Sequence, residues 1–166
     1  KAISGGLYPV SCVLSCDEIM MVFKPGEHGS TFGGNPMAGK VAMAALNVIR
    51  DENLAANAMK MGEIFRKEMK SVRSSFIQAV RGKGLLNAVE IKSPSGQTAW
   101  DICIMLKENG LIAKPTHGNI IRFTPPLIIN EKQMKEATVI IKKTIEQLPV
   151  NGRGKLSTPE DFPVEK

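Results

Sequence analysis

The sequence predicts an α/β chain in two parts, a strand–loop–helix segment followed by a small α+β domain. Three observations lead there. A glycine-dense loop at 24–35 runs straight into a helix that starts Asn35-Pro36. Apolar residues recur at helical spacing over several long stretches. From about residue 78 onward, short strand-like runs and helices are mixed. Asp51-Glu52-Asn53 marks the boundary, so residues 1–52 form the first part, 53–148 the second, and 149–166 a flexible tail.

The elements follow in order. Residues 9–15 read as a short buried strand carrying Val10, Val13 and Leu14, and 17–22 as a brief helical turn. Asn35 is an N-cap and Pro36 sits at N1, where its missing N–H costs nothing. Met37, Val41, Ala44, Ala45 and Val48 then form one helical stripe. A second helix spans 54–72 with Leu54, Ala58, Met61, Phe65 and Met69 inward. Strands are expected at 78–81 and 85–91, separated by Gly82-Lys83-Gly84, with a turn at 93–96. A helix at 98–109 ends at Gly110, a C′ glycine. A strand at 120–123 stops at Pro125-Pro126, and a last helix at 131–148 points Met134, Thr138, Ile141, Ile145 and Leu148 inward. The tail has three prolines, two glycines and one aromatic, a composition poor in core-forming residues.

Composition narrows the function classes. With 166 residues, 43% of them hydrophobic and 23% charged, the chain has enough material for a real core. Collagen, global disorder and a disulfide-stapled miniprotein are excluded, and no stretch approaches the roughly 18 uninterrupted apolar residues of a membrane span. The net charge is +6. Much of it lies between Lys60 and Lys83, where Lys60, Arg66, Lys67, Lys70, Arg73, Arg81 and Lys83 outnumber Glu63 and Glu68. A nucleic-acid surface would read this way, but the stacking aromatics such surfaces use are scarce, so a solvated or partner-covered face is expected and no nucleic acid. Cys12, Cys16 and Cys103 have no zinc spacing, and no metal is expected.

Several residues invite chemistry. Gly34 to Lys40 spells G-x₄-G-K, yet Val41 stands where a P-loop needs a hydroxyl, and the proline start puts Gly39 and Lys40 inside the helix. The loop before it pairs closely spaced glycines with Ser30 and Thr31 next to a helix start, either an anion-binding loop or an ordinary glycine-rich turn. His28 and His117 lack a carboxylate at motif spacing and read as loop or packing histidines. Arg122 lies in Ile120-Ile121-Arg122-Phe123, sharing a face with Ile120 and not with Ile121 or Phe123. It is either a snorkelling edge residue or a bidentate anion clamp. Lys1 heads a small-residue turn. A lysine in a crowded, partly desolvated site can form a Schiff base, although most lysines are plain surface charges.

Taken together, four segments carry a resemblance: Lys1-Ala-Ile-Ser-Gly-Gly-Leu-Tyr-Pro-Val-Ser, Glu27-His-Gly-Ser-Thr-Phe-Gly-Gly-Asn-Pro, Arg81-Gly-Lys-Gly-Leu-Leu, and Leu111-Ile-Ala-Lys-Pro-Thr-His-Gly followed by Ile-Ile-Arg-Phe-Thr-Pro-Pro-Leu. Over residues 1 to about 148 the chain resembles the class III aminotransferases, and its first and last segments favour the ornithine-using branch over acetylornithine or 4-aminobutyrate relatives. The resemblance implies fold type I, with 1–52 ending the cofactor-binding large domain and 53–148 forming the small C-terminal domain. It further implies pyridoxal 5'-phosphate as cofactor, ornithine, 2-oxoglutarate and glutamate as small-molecule substrates, and a homodimer with a shared active site. An intracellular location follows, in the mitochondrial matrix or cytoplasm, without membrane attachment. Family members carry a long N-terminal part ahead of the lysine, so the sequence is expected to be cut at Lys1, and the 166-residue segment alone is not expected to be active. Residue by residue, Lys1 would hold the cofactor as a Schiff base and act as general base and acid. Ser30 and Thr31 would bind its phosphate across the subunit interface, and Arg122 would hold a substrate carboxylate. From a different class, a small basic anion-binding module stays open as the alternative.

Overall fold

A computed structural model describes residues 2–92 and 96–148. Lys1, the turn expected within 93–96 apart from Gly96, and the 149–166 tail lie outside the described residues. The chain divides into two units, Lys1–Leu54 and Ala55–Lys166.

In the first unit, a 3₁₀ turn, η1 (Ala2–Ser4), precedes the short helix α1 (Asp17–Met20) and the long helix α2 (Pro36–Asp51). Asn35 caps α2 as its sequence requires. Its side-chain oxygen accepts from Met37 N at 2.8 Å and Ala38 N at 3.4 Å, with Pro36 in the first turn. Gly39 and Lys40 lie within the helix, which removes the P-loop lookalike. Two expectations fail here. Residues 9–15 form no strand, and Val13 and Leu14 are 78% and 91% exposed. A strand needs a hydrogen-bonded neighbour, and every described strand belongs to the second unit. The buried face of α2 is also not the Met37–Val48 stripe. Ala38 and Ala42 are buried, whereas Met37 and Val48 are exposed. η1 packs against α2, and a side chain at Gly5 would meet Ala45 Cβ at 3.7 Å, so small residues set that contact.

In the second unit, α3 (Leu54–Lys70), α4 (Ala99–Glu108) and α5 (Glu131–Glu146) accompany the strands β1 (Ile77–Lys83), β2 (Leu86–Ile91), β3 (Lys114–Thr116) and β4 (Ile120–Phe123). The strands form an antiparallel sheet in the order β1-β2-β4-β3. The inward face expected for α3 is buried at every position from Leu54 through Ala58, Met61 and Phe65 to Met69. The same holds for Met134, Thr138, Ile141, Ile145 and Leu148. Ala58, Met61, Phe65 and Met69 of α3 and Met134, Ile141, Ile145 and Leu148 join Val89, Ile91, Ile121 and Phe123 from the sheet and Ile102 and Leu106 from α4 in one apolar cluster, where the Phe65 and Phe123 rings pack tilted at 5.3 Å.

Capping boxes open α4 and α5: Thr98 with Asp101, and Asn130 with Gln133. Gly110, at φ +90°, closes α4 while Leu111 N reaches back to Leu106 O. The element missing from the sequence reading is β3. Pro115 at its centre cannot donate to a ladder, which demotes such a run when only sequence is read. β3 lies at the sheet edge, the position a proline tolerates.

Candidate functional site

The first unit builds a loop fit for an anion. Gly26 and Gly34 adopt φ of +90° and +72°, a conformation that side chains disfavour. Between them, Ser30 Oγ accepts from Gly33 N at 3.0 Å, holding the turn closed, and a Cβ on Gly33 would crowd Ser30 Cβ at 3.1 Å. Ser30 and Thr31 are both exposed. A depression of about 650 Å³ is lined by Ser30, Phe32, Gly33, Gly34 and Asn35 together with Pro9, Val10 and Ser11. Hydroxyls and loop N–H groups around an open recess are the donor set that a phosphate ester accepts from, so these residues fit the phosphate end of pyridoxal phosphate.

The stretch after Lys1 is tied to this loop. The Ser4 hydroxyl donates to Tyr8 O, and Tyr8 N donates back to Ser4 Oγ at 3.2 Å. Asn35 Nδ2 in turn donates to the Tyr8 hydroxyl at 3.2 Å. The residue that caps α2 therefore also anchors the turn beginning one residue past Lys1. This link was not foreseen, because nothing in the spacing of Tyr8 and Asn35 announces a hydrogen bond across 27 positions.

Arg122 belongs to the second unit. It is exposed, between buried Ile121 and buried Phe123, on the face that alternation assigns it. β4 is flanked by β2 and β3, so Arg122 is not an edge residue, and that half of the earlier pair of readings falls. Across the sheet it sits in the row Arg81, Ala88, Arg122, Lys114. Arg122 and Lys114 also touch a groove of about 460 Å³ whose walls are mostly apolar, among them Phe65, Leu111, Phe123, Met134 and Ile141. Among the described residues neither side chain has a hydrogen bond or ion pair. Lys114 drew no notice in the sequence because its strand did not.

The other chemistry-bearing residues are structural or remote. His28 packs tilted on Phe23 at 5.9 Å, and His117 takes φ +53° in the β3–β4 turn. Within the basic stretch, Arg66 Nη1 donates to Gly84 O at 3.0 Å and Asn87 Oδ1 at 2.8 Å, so this cation fastens α3 to the β1–β2 turn. Glu68 pairs with Lys142 at 2.6 Å, and the hydrogen bond and charge of that lysine hold its carboxyl below the usual range. Cys12 and Cys16 are exposed, while burial pushes the Cys103 thiol up to about 11. No helix among the described residues is long and apolar enough to cross a membrane.

Comparison with known proteins follows the same lines. The family described as aminotransferase class-III matches residues 1–145. The chain is 59% identical to the mitochondrial ornithine aminotransferase of Drosophila melanogaster and 57% identical to that of Rattus norvegicus, covering in each case 87% of this chain and 33% of the relative. It therefore spans about a third of the length of these relatives. Among solved structures, the Plasmodium falciparum ornithine delta-aminotransferase superposes with a TM-score of 0.82 at 48% identity, over 87% of this chain and 38% of that one. The acetylornithine aminotransferase of Elizabethkingia anophelis gives 0.82 at 56%, over 89% and 38%. The fold is that of fold type I pyridoxal-phosphate enzymes, the family depends on that cofactor, and the independent binding module is set aside: the chain belongs to the class III aminotransferases.

Proposed function

We propose that the chain works as part of an ornithine aminotransferase, moving the δ-amino group of L-ornithine to 2-oxoglutarate and yielding glutamate semialdehyde and glutamate. The observation that carries this reading is the Asn35–Tyr8 hydrogen bond, which couples the turn after Lys1 to the hydroxyl-bearing loop. The identities of 57–59% to ornithine aminotransferases support the substrate. In this reading the first unit ends the large domain, the second is the small domain, and the enzyme is a homodimer in which Ser30 and Thr31 serve the neighbouring subunit. The mitochondrial relatives support a matrix location, with the cytoplasm as the alternative.

Each residue then has a physical task. Bound pyridoxal phosphate supplies an electron sink for the carbon being deprotonated. Lys1 anchors it covalently, and its amine, once released, carries a proton at the substrate carbon as base and then as acid. The Ser30 and Thr31 hydroxyls and the loop N–H groups hold the phosphate and so fix the ring's position. Arg122 grips a carboxylate of glutamate or 2-oxoglutarate through its planar fork.

The test is Lys1→Ala in the whole protein, with turnover measured on ornithine and N-acetylornithine. Losing anchor and proton carrier together should lower the rate by several orders of magnitude. A rate within tenfold of the unsubstituted enzyme overturns the assignment of Lys1. A higher kcat/KM for N-acetylornithine than for ornithine overturns the choice of substrate.

A further inference from the structure

We propose that Asn109 is a latent modification site. The Asn109-Gly110 pair closes to a succinimide and reopens as aspartate or isoaspartate, and that change releases a latch between α4 and α5. This chemistry is independent of the transamination proposed above. An asparagine followed by glycine is the pair most open to such ring closure, because glycine has no Cβ to shield the approach of its nitrogen to the side chain. The pair lies where α4 ends, with Asn109 as its C-cap and Gly110 at φ +90°.

The fold ties down both reacting groups. Asn109 Nδ2 donates to Met105 O at 3.1 Å on its own helix. It also reaches α5, donating to Thr144 Oγ1 at 3.0 Å and to Gln147 Oε1 at 3.3 Å. Thr144 is fully buried, and its hydroxyl donates to Ile140 O at 2.9 Å, so its oxygen faces Asn109 as an acceptor. The attacking nitrogen is held as well, since Gly110 N donates to Lys107 O at 3.0 Å. Ring closure requires the side chain to leave α5 and the Gly110 nitrogen to leave Lys107 O. The reaction therefore starts from a locally opened state, and its rate reports how often the end of α4 comes loose from α5.

In the opened state Gly110 N gives its proton to base and attacks Asn109 Cγ. The N–Cγ bond forms as the Cγ–Nδ2 bond breaks, and the side-chain nitrogen takes up a proton and leaves as ammonia. Water then adds to either ring carbonyl, giving aspartate or isoaspartate, and nothing is oxidised or reduced. Neither product rebuilds the latch. A carboxylate has no N–H to donate and turns its oxygens toward Met105 O, Thr144 Oγ1 and Gln147 Oε1, where donors stood before. It also places negative charge at the C-terminal end of α4, where the helix dipole opposes it. Isoaspartate further adds a methylene to the main chain of the turn that Gly110 closes.

The experiment incubates the whole folded protein at mildly alkaline pH beside a synthetic peptide of residues 105–113. Peptide mapping by mass spectrometry follows aspartate and isoaspartate at position 109. The folded protein should convert at least about tenfold more slowly than the peptide, because several hydrogen bonds must open together. Thr144→Val keeps the buried shape but removes one partner, and should speed conversion by about three- to tenfold. Asn109→Asp, the product made directly, should unfold at lower urea than the parent, and the converted fraction isolated by ion exchange should do the same. Conversion as fast in the folded protein as in the peptide overturns the latch. So does an unchanged rate in Thr144→Val, or an Asn109→Asp midpoint equal to that of the parent. If no product forms at 109 in parent or variant after the peptide has been consumed, the modification site itself is overturned. Should Thr144→Val fold poorly, Gln147→Leu, at the exposed end of the same contact, carries the same expectation.

Discussion

Replacing Gly62 with alanine sets local propensity against tertiary packing. Gly62 lies in the middle of α3, where helix propensity alone makes Ala more favourable by about 1 kcal/mol. The structure reverses the sign. A Cβ at Gly62 would overlap the carbonyl oxygen of Gly84 and stand 2.5 Å from its carbon and 2.9 Å from Arg66 Nη1. The obstacle is backbone of the β1–β2 turn, whose Gly84 is held at φ +53°, so it yields only if α3 moves off the sheet. Overpacking of this kind costs about 1–3 kcal/mol. The same shift pulls apart the charged hydrogen bond from Arg66 to Gly84 O, worth about 1.5–3 kcal/mol. Set against the propensity gain, Gly62→Ala should destabilise by about 1.5–5 kcal/mol. Gly39, within α2, is the control. Nothing lies within 4 Å of a Cβ there, so Gly39→Ala should be neutral or stabilising by up to about 1 kcal/mol. Urea unfolding followed by circular dichroism reads both. Equal midpoints for Gly62→Ala and the parent would refute the packing argument.

Three further outcomes are expected. Thr31→Ala should weaken cofactor binding by about 1–3 kcal/mol, through loss of a hydrogen bond to a charged acceptor. Mixed dimers of Thr31→Ala with Lys1→Ala chains should regain one intact site, and a mixture no more active than its parents would rule out the cross-subunit contact. Lys142→Met should cost about 0.5–1 kcal/mol at neutral pH, since its pair with Glu68 is partly exposed. Because Glu68 is held below its ordinary value, that contribution is present above the usual carboxylate range and is lost as pH falls through the lowered value, so stability curves of the two proteins should converge in acid. Finally, in the native protein at mildly alkaline pH iodoacetamide should modify Cys12 and Cys16 and spare Cys103, whose thiol is buried and raised to about 11; mass spectrometry of the digested product shows which sites react.

The candidate site was legible to different degrees in its parts. Arg122 could be assigned a face from its four-residue run alone, since alternation in a strand is a local property and the run is paired on both sides. The hydroxyls of Ser30 and Thr31 could be picked out from the glycines around them. Tyr8 could not, because its link to the loop depends on a partner chosen by the fold, Asn35.

The sequence by itself determined the helices that carry their own signals. α3 and α5 have full apolar stripes, α2 and α5 have asparagine caps, and α4 has its Thr98 cap and Gly110 stop. These rest on residues three or four positions apart, close enough to interact before any tertiary contact forms. Tertiary structure alone decided the rest. Residues 9–15 are apolar enough for a strand yet, among the described residues, pair with none, whereas 114–116 become a strand despite Pro115 because β4 offers an edge. The buried side of α2 falls on Ala38 and Ala42, while larger neighbours such as Met37 and Met43 stay exposed. A ladder, an edge and a close backbone approach each need a partner distant in sequence, and that partner's identity is a property of the folded chain.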